Sequence, residues 1–399
     1  MENNFSKKEN FSNIEKIFQN EISEQILKSR KYNREEDIRG AYFRDITAII
    51  HSYPFRRLKH KTQVFFSPKN DHICTRIEHV LHVATISSTI CRALGLDSDL
   101  AWAISVGHDL GHTPFGHVGS DILAKITNKK PFYHEIYSLY LVDNLINYGK
   151  GLNLTFAVRD GIVKHCGEKF EKAIEPDNKI IDPEKISSLE HYPLTYEGCI
   201  VRMSDKIAYL GRDLEDALQL KIIRESNVPQ IIKKNLGLKN SEIIDKLVND
   251  LIITSKKEGK IAFSDKTYEL ILILTEFNYK NIYQSKILND YSKYFERIIK
   301  FLFDYLCEIY SKYERNYDLY KNESNFLAIR FGDYLKKMES FYQSKKPLSF
   351  YKKEEIYIAP IIDYIAGMTD DYAIECAYEI MIPKKFEFKF DEFLLNNED

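Results

Sequence analysis

The stretch VGHDLGHTPFGH, residues 106–117, sets three histidines and an aspartate among glycines and a proline. Just upstream, DSDLAWAISVGHDL offers an N-cap in Asp97 or Ser98 followed by apolar periodicity, which predicts a helix whose last turn carries His108 and Asp109. Gly111 and Pro114 end that helix, so His112 and His117 fall on the loop beyond it. Adjacent helical residues diverge by about 100°, so His108 and Asp109 reach one ion together only if it lies along the helix flank. Two ligands do not hold a cation. His79 in TRIEHVLHVA and Asp205 in VRMSDKIAYLGRDLEDAL offer two more, each from a further helix. Two neutral imidazole nitrogens and two carboxylates form a mixed set suited to Mn, Mg, Fe or Zn, with positions left for water and substrate. Taken singly, each residue says little: a histidine in an apolar helix, such as His82, is usually packing, and a helical aspartate is usually solvated. The signal lies in the combination.

The rest of the chain frames this site. Its 399 residues permit two or three domains or one elaborate helical domain. With 57 basic and 59 acidic residues and a net charge of −2, it lacks the bulk positive footprint of a nucleic-acid binder, although local basic patches stay open. The six cysteines are dispersed with no CxxC pair, which argues against a zinc ribbon or redox motif. The opening MENNFSKKENFSNIEKIFQN is polar where a signal peptide needs an apolar run. No window approaches the roughly 20 apolar residues of a membrane span, so a soluble, cytoplasmic protein is expected. Periodicity such as that of EHVLHVATISSTICRALGL, and the sparse 16 Gly and 11 Pro, predict an all-α fold. Three regions are expected: a helical lead-in over 1–38, a chemical core over 39–220, and a C-terminal helical region over 221–399, with SKKEGKIAFSDKT (255–267) as a polar connection.

Several segments occur in the order found in one enzyme family: FRRLKHKTQVF (55–65), TRIEHVLHVA (75–84), HDLGHTPFGHVG (108–119), FYHE (132–135), VRMSDKIAYLGRDLEDA (201–217) and DYIAGMTDDYA (363–373). The chain thereby resembles the HD-domain deoxynucleoside triphosphate triphosphohydrolases, the dGTPase-like enzymes related to the SAM- and HD-domain dNTPase. The resemblance implies one divalent metal ion on His79, His108, Asp109 and Asp205. It matches Arg76 to a phosphate contact, Lys206 and Tyr209 to residues lining the triphosphate and sugar, and Gln63 and Asp213 to contacts with the deoxyribose. It sets Asp109, His112, His117 and His134 in the catalytic group, with His134 as general acid and His112 and His117 on the α-phosphate. His165, in GIVKHCGEKF, is expected to be structural. These side chains suit such tasks: guanidinium grips two phosphate oxygens, and imidazole titrates near neutral pH.

The reaction implied is cleavage between the α-phosphate and the 5′-oxygen of a dNTP, giving the deoxynucleoside and tripolyphosphate. Relatives in the family form homo-oligomers, hexamers or tetramers, and some need an allosteric nucleotide; single-stranded DNA remains an open partner. The C-terminal region is expected to complete the active site and to supply the oligomer interface. Three departures stand out. Ser120 followed by Asp121 occupies the place of an acidic residue, Arg212 stands where a histidine is frequent, and Asp371 stands where a basic residue is usual. Two other readings stay open: another HD-domain phosphohydrolase (a nucleotidase, cyclic-nucleotide phosphodiesterase or alarmone hydrolase), or a non-catalytic nucleotide sensor. Product identity separates the first, and binding without turnover the second.

Overall fold

The computed structural model describes residues 18–66, 72–127, 131–167, 170–323 and 325–382. Residues 1–17 of the lead-in lie outside the described residues, and the helix that follows is the single turn Glu24–Leu27. The main helices are α1 (Ala41–Ile50), α2 (Arg76–Leu94), α3 (Ser98–Gly107), α4 (Gly116–Ile126), α5 (His134–Tyr140), α6 (Phe156–Val163) and α7 (Tyr196–Gln219). They continue as α8 (Asn240–Glu258), α9 (Asp265–Asn278), α10 (Lys286–Tyr313), α11 (Phe326–Tyr342), α12 (Ala359–Ala366) and α13 (Asp370–Met381). Among the described residues the one sheet is a pair of two-residue strands, β1 (Ala173–Ile174) and β2 (Ile261–Ala262), antiparallel with Ala173 opposite Ala262. The all-α expectation holds.

Helices α2, α3 and α7 pack against one another and carry the residues of interest. Helix α2 begins at a capping box in which the Thr75 N–H donates to Glu78 at 2.7 Å, and it ends at Gly95 in the left-handed region. Its buried face runs through His79, Val80, Val83, Ile86, Ile90 and Leu94, a helical spacing that turns His79 inward with the apolar stripe. The Asp97 carboxylate caps α3 by accepting from Asp99 N and Leu100 N, so of the two candidates, Asp97 and Ser98, the first is the cap. Small residues then let α3 approach its neighbours closely: the Ser87 and Ser105 hydroxyls meet at 3.0 Å between α2 and α3. A Cβ on Gly107 would lie 2.6 Å from Ile162 of α6. Helix α3 stops at Gly107, so His108 sits at its C-cap and Asp109 just past it.

Apolar residues gather in two clusters. One extends from Phe18 through the α2–α3–α7 crossing to Ile282. The other joins Phe115, α4 and α5 to residues 295–377. The composition shift near residue 221 therefore marks no break in packing: α8 and α9 share the first cluster with α7, while α4 and α5 belong with the C-terminal helices. The stretch 255–267 is also not a simple connection, because α8 continues to Glu258 and β2 follows a left-handed Gly259.

Candidate active site and metal centre

His79 comes from α2, His108 and Asp109 from the end of α3, and Asp205 from the middle of α7, and all four are buried. The Asp205 carboxylate lies 2.9 Å from His79 Nε2 and 3.8 Å from His108 Nε2. The Asp109 carboxylate lies 3.4 Å from His108 Nε2 and 3.8 Å from His79 Nε2. His108 Nδ1 is 2.6 Å from the Ser105 carbonyl, to which it donates, so Nε2 carries the lone pair. That nitrogen is buried, faces two carboxylates and has no hydrogen-bond partner. Leaving a polar atom unmatched in such a place is costly unless something binds it. A divalent cation suits the orphaned lone pair and the two acids together, and the nitrogen and oxygen atoms of His79, His108 and Asp109 all lie within 4.8 Å of one another.

A second group of imidazoles stands beside this one. His112 and His134 stack with ring centroids 3.9 Å apart, and His117 lies edge-on to both. Asp109 ties the two groups: Oδ1 is 3.2 Å from His112 Nε2 and 3.6 Å from His134 Nε2, while Oδ2 accepts from Arg76 Nη1 at 2.6 Å. Burial pushes Asp109 up, but the neighbouring imidazoles of His108 and His112 and the Arg76 guanidinium outweigh it and hold the carboxyl well below its usual range. Burial also depresses His112, His117 and His134, reinforced by Arg76 for the first two and by His112 for the third. The free site therefore favours neutral imidazoles. Glu135 places Oε2 3.3 Å from His134 Nδ1, and burial raises its carboxyl to about 7.

These residues form one wall of a cavity of about 550 Å³. Gln63, Arg76, His79, Asp109, His112, His117, His134, Asp205, Tyr209 and Asp213 all line it, so the structure brings together most of the residues named from sequence. Asp205, Tyr209 and Asp213 do so because spacings of four put them on one stripe of α7. Gln63 presents a buried amide oxygen without a partner, and Asp213 accepts from the Tyr283 hydroxyl at 2.5 Å. His108 is absent from the lining but turns its Nε2 toward Asp109 and Asp205. Lys206 is outside the lining, its ammonium 2.5 Å from Glu171.

The departures resolve locally. Ser120 is buried with its hydroxyl 3.2 Å from that of Thr113, whereas Asp121 reaches the cavity rim. Arg212 pairs with Glu215 at 3.0 Å, and Asp371 is exposed in the first turn of α13. His165 turns toward the same centre: its Nδ1 meets the Ile162 carbonyl at 2.7 Å, and its buried Nε2 has no partner and falls within 4.8 Å of ligand atoms of His108 and Asp205. It thus faces the centre. Sequence reasoning expected the C-terminal region to complete the site but named none of its residues there: on the far wall a π-helical turn, Tyr279–Tyr283, and the start of α10 contribute Tyr279, Tyr283, Tyr291 and Phe295. Aromatic spacing there reads as ordinary helix packing, and nothing in it signals a cavity whose other lining residues lie between 62 and 213 in the chain.

Residues 76–210 match the family model described as the HD domain. A deoxyguanosinetriphosphate triphosphohydrolase-like protein of Caldanaerobacter subterraneus subsp. tengcongensis is 38% identical over 361 residues, covering 89% of this chain and 90% of the relative. Proteins of the same description from Desulfatibacillum aliphaticivorans and Clostridium perfringens strain 13 are 35% and 33% identical, each match covering 94% of this chain and 98% of the relative. No helix among the described residues is long and apolar enough to cross a membrane.

Proposed function

The chain belongs to the HD-domain family of deoxyguanosinetriphosphate triphosphohydrolase-like proteins, and from that premise we propose that it hydrolyses deoxynucleoside triphosphates to the deoxynucleoside and inorganic tripolyphosphate. The observation that carries the reading is the junction at Asp109. One carboxylate joins a nitrogen and oxygen nest fit for a cation to a wall of three imidazoles and an arginine, all on one cavity.

Mn, Mg, Fe or Zn held by His79, His108, Asp109 and Asp205 would supply charge neutralisation and an activated water at the α-phosphate. The chain's own groups do the rest. Arg76, fixed by Asp109 and by the Gln63 carbonyl at 3.2 Å, presents its guanidinium to phosphate oxygens, with Lys206 as a second cation. His112 and His117 hold the α-phosphate oxygens and stabilise charge as it develops there. His134 delivers a proton to the departing 5′-oxygen; incoming phosphates favour the protonated ring that burial disfavours in the free site. Gln63 Oε1 and Asp213 meet the sugar hydroxyl, and Tyr209 packs against the ring where a 2′-hydroxyl would intrude. The aromatic far wall receives the base, so 221–399 completes the site begun by 39–220. A cytoplasmic location and a homo-oligomeric assembly belong to the same proposal.

The test is product identity. Purified protein with each dNTP and Mn or Mg is expected to release deoxynucleoside and tripolyphosphate in equal amounts. Pyrophosphate or orthophosphate as the first product would assign it to another class of HD hydrolase.

A further inference from the structure

Lys206 is not waiting for substrate: it is already engaged. Glu171 divides its two oxygens between two cations, Oε2 to Lys206 Nζ at 2.5 Å and Oε1 to Arg202 Nη2 at 2.6 Å and Nε at 3.1 Å. Both partners are nearly enclosed, with side-chain exposures of 4% for Lys206 and 11% for Glu171, and the ammonium sits 5.2 Å from the Phe170 ring centre. This cluster adjoins the cavity. Lys206 follows Asp205 and precedes Tyr209 by three positions on α7, and Cys166 both lines the cavity and accepts from Arg202 through its carbonyl at 2.7 Å.

We propose that Glu171 is the resident counter-anion of the triphosphate site, which the terminal phosphate of the substrate displaces from Lys206. The inference rests on the hydrolase reading above. The protein is built to let Oε2 leave while the rest stays. Backbone on either side of Glu171 is anchored: the Phe170 carbonyl accepts from the Tyr268 hydroxyl at 2.9 Å, and the Lys172 carbonyl from Phe263 N at 2.9 Å. Arg202 keeps Oε1 and is itself held by the carbonyls of Lys164 and Cys166. A phosphate with up to two charges and three oxygens outcompetes a single carboxylate oxygen for an ammonium. A shorter polyphosphate chain that does not reach Lys206 finds its charge already neutralised and gains nothing from it. Glu171 thereby discriminates by chain length.

The experiment measures binding of inorganic tripolyphosphate to the full chain by calorimetry, without turnover. Glu171→Gln keeps an acceptor for Arg202 and removes the carboxylate charge from Lys206, so tripolyphosphate should bind roughly three- to tenfold more tightly, while inorganic pyrophosphate, which does not reach Lys206, should change less. Adding Lys206→Ala to that variant should abolish the gain. Unchanged or weaker binding by Glu171→Gln would overturn the inference and make Glu171 a simple prop for Lys206. If Glu171→Gln does not fold, Glu171→Asp, one methylene shorter, should shift binding in the same direction, and no shift overturns the inference equally. Tighter tripolyphosphate binding in a protein that hydrolyses no dNTP would sink the hydrolase reading alone; dNTP hydrolysis with no gain in binding would sink the role of Glu171 alone.

Discussion

His108 donates from Nδ1 to the Ser105 carbonyl one helical turn earlier, at 2.6 Å, and so turns its other nitrogen, unpartnered, toward the carboxylates of Asp109 and Asp205. Because the tautomer is set by backbone, the ring is a preformed ligand. His108→Gln and Asp205→Asn are each expected to weaken metal retention by roughly a hundredfold or more, read as metal content after dialysis. Chelation should lower the melting temperature of the wild type but leave that of either variant nearly unchanged, since only a bound ion stabilises the native state.

His134 stacks on His112 and lies 3.6 Å from Asp109, yet it is not needed to close the cation nest. His134→Ala should therefore cut kcat by roughly 10²- to 10⁴-fold with metal content intact and KM within a few-fold. Loss of metal in this variant would move His134 from proton transfer to ligation.

Asp370 is buried and accepts from Thr62 N at 2.9 Å, Thr62 Oγ1 at 2.5 Å and Phe115 N at 2.9 Å. Thr62 precedes Gln63, and Phe115, whose φ of 63° is unusual for a side chain of its size, leads into His117. One carboxylate thus fixes two edges of the cavity from the DYIAGMTDDYA segment. Asp370→Ala should cost about 1–3 kcal/mol of stability, measured by urea unfolding, and raise KM more than it lowers kcat. Asp370→Asn, which keeps one acceptor, should recover part of both.

Asp363 accepts from four tyrosine hydroxyls, those of Tyr137 and Tyr351 on Oδ1 at 3.0 and 2.6 Å and those of Tyr140 and Tyr342 on Oδ2 at 3.2 and 2.8 Å. Burial nevertheless outweighs these donors and lifts the carboxyl from an ordinary 3.8 to about 6. The folded protein then binds this proton more tightly than the unfolded chain. The resulting stability is full below the unfolded value and is lost as pH rises through about 6. Asp363→Asn removes the titration, so the wild-type advantage in unfolding free energy should shrink by roughly 2–3 kcal/mol between about pH 4 and 7. A difference that stays flat with pH would mean that the hydroxyls keep the carboxylate ionised throughout.

Local spacing made part of this legible. The Asp97 cap marked where α3 begins, and the combination of His79, His108 with Asp109, and Asp205 on three helices, together with the family resemblance, let the convergence of four ligands be anticipated. What stayed hidden depends on contacts between distant segments. His165 stands alone in GIVKHCGEKF, and only the packing of α6 beside α3 turns its free nitrogen toward His108. Lys206 reads as an open cation until Glu171, 35 positions away, is found against it. Composition changes near 221, but core packing follows the helices on either side and ignores the change.

The central claim is that one cation sits among His79, His108, Asp109 and Asp205, and anomalous scattering from crystals grown with Mn tests it most directly. The expected result is a single strong peak bonded to His108 Nε2 and to both carboxylates, with the present 2.9 Å contact between His79 and Asp205 opened to admit it. A peak elsewhere, or none while that contact persists, would contradict the account.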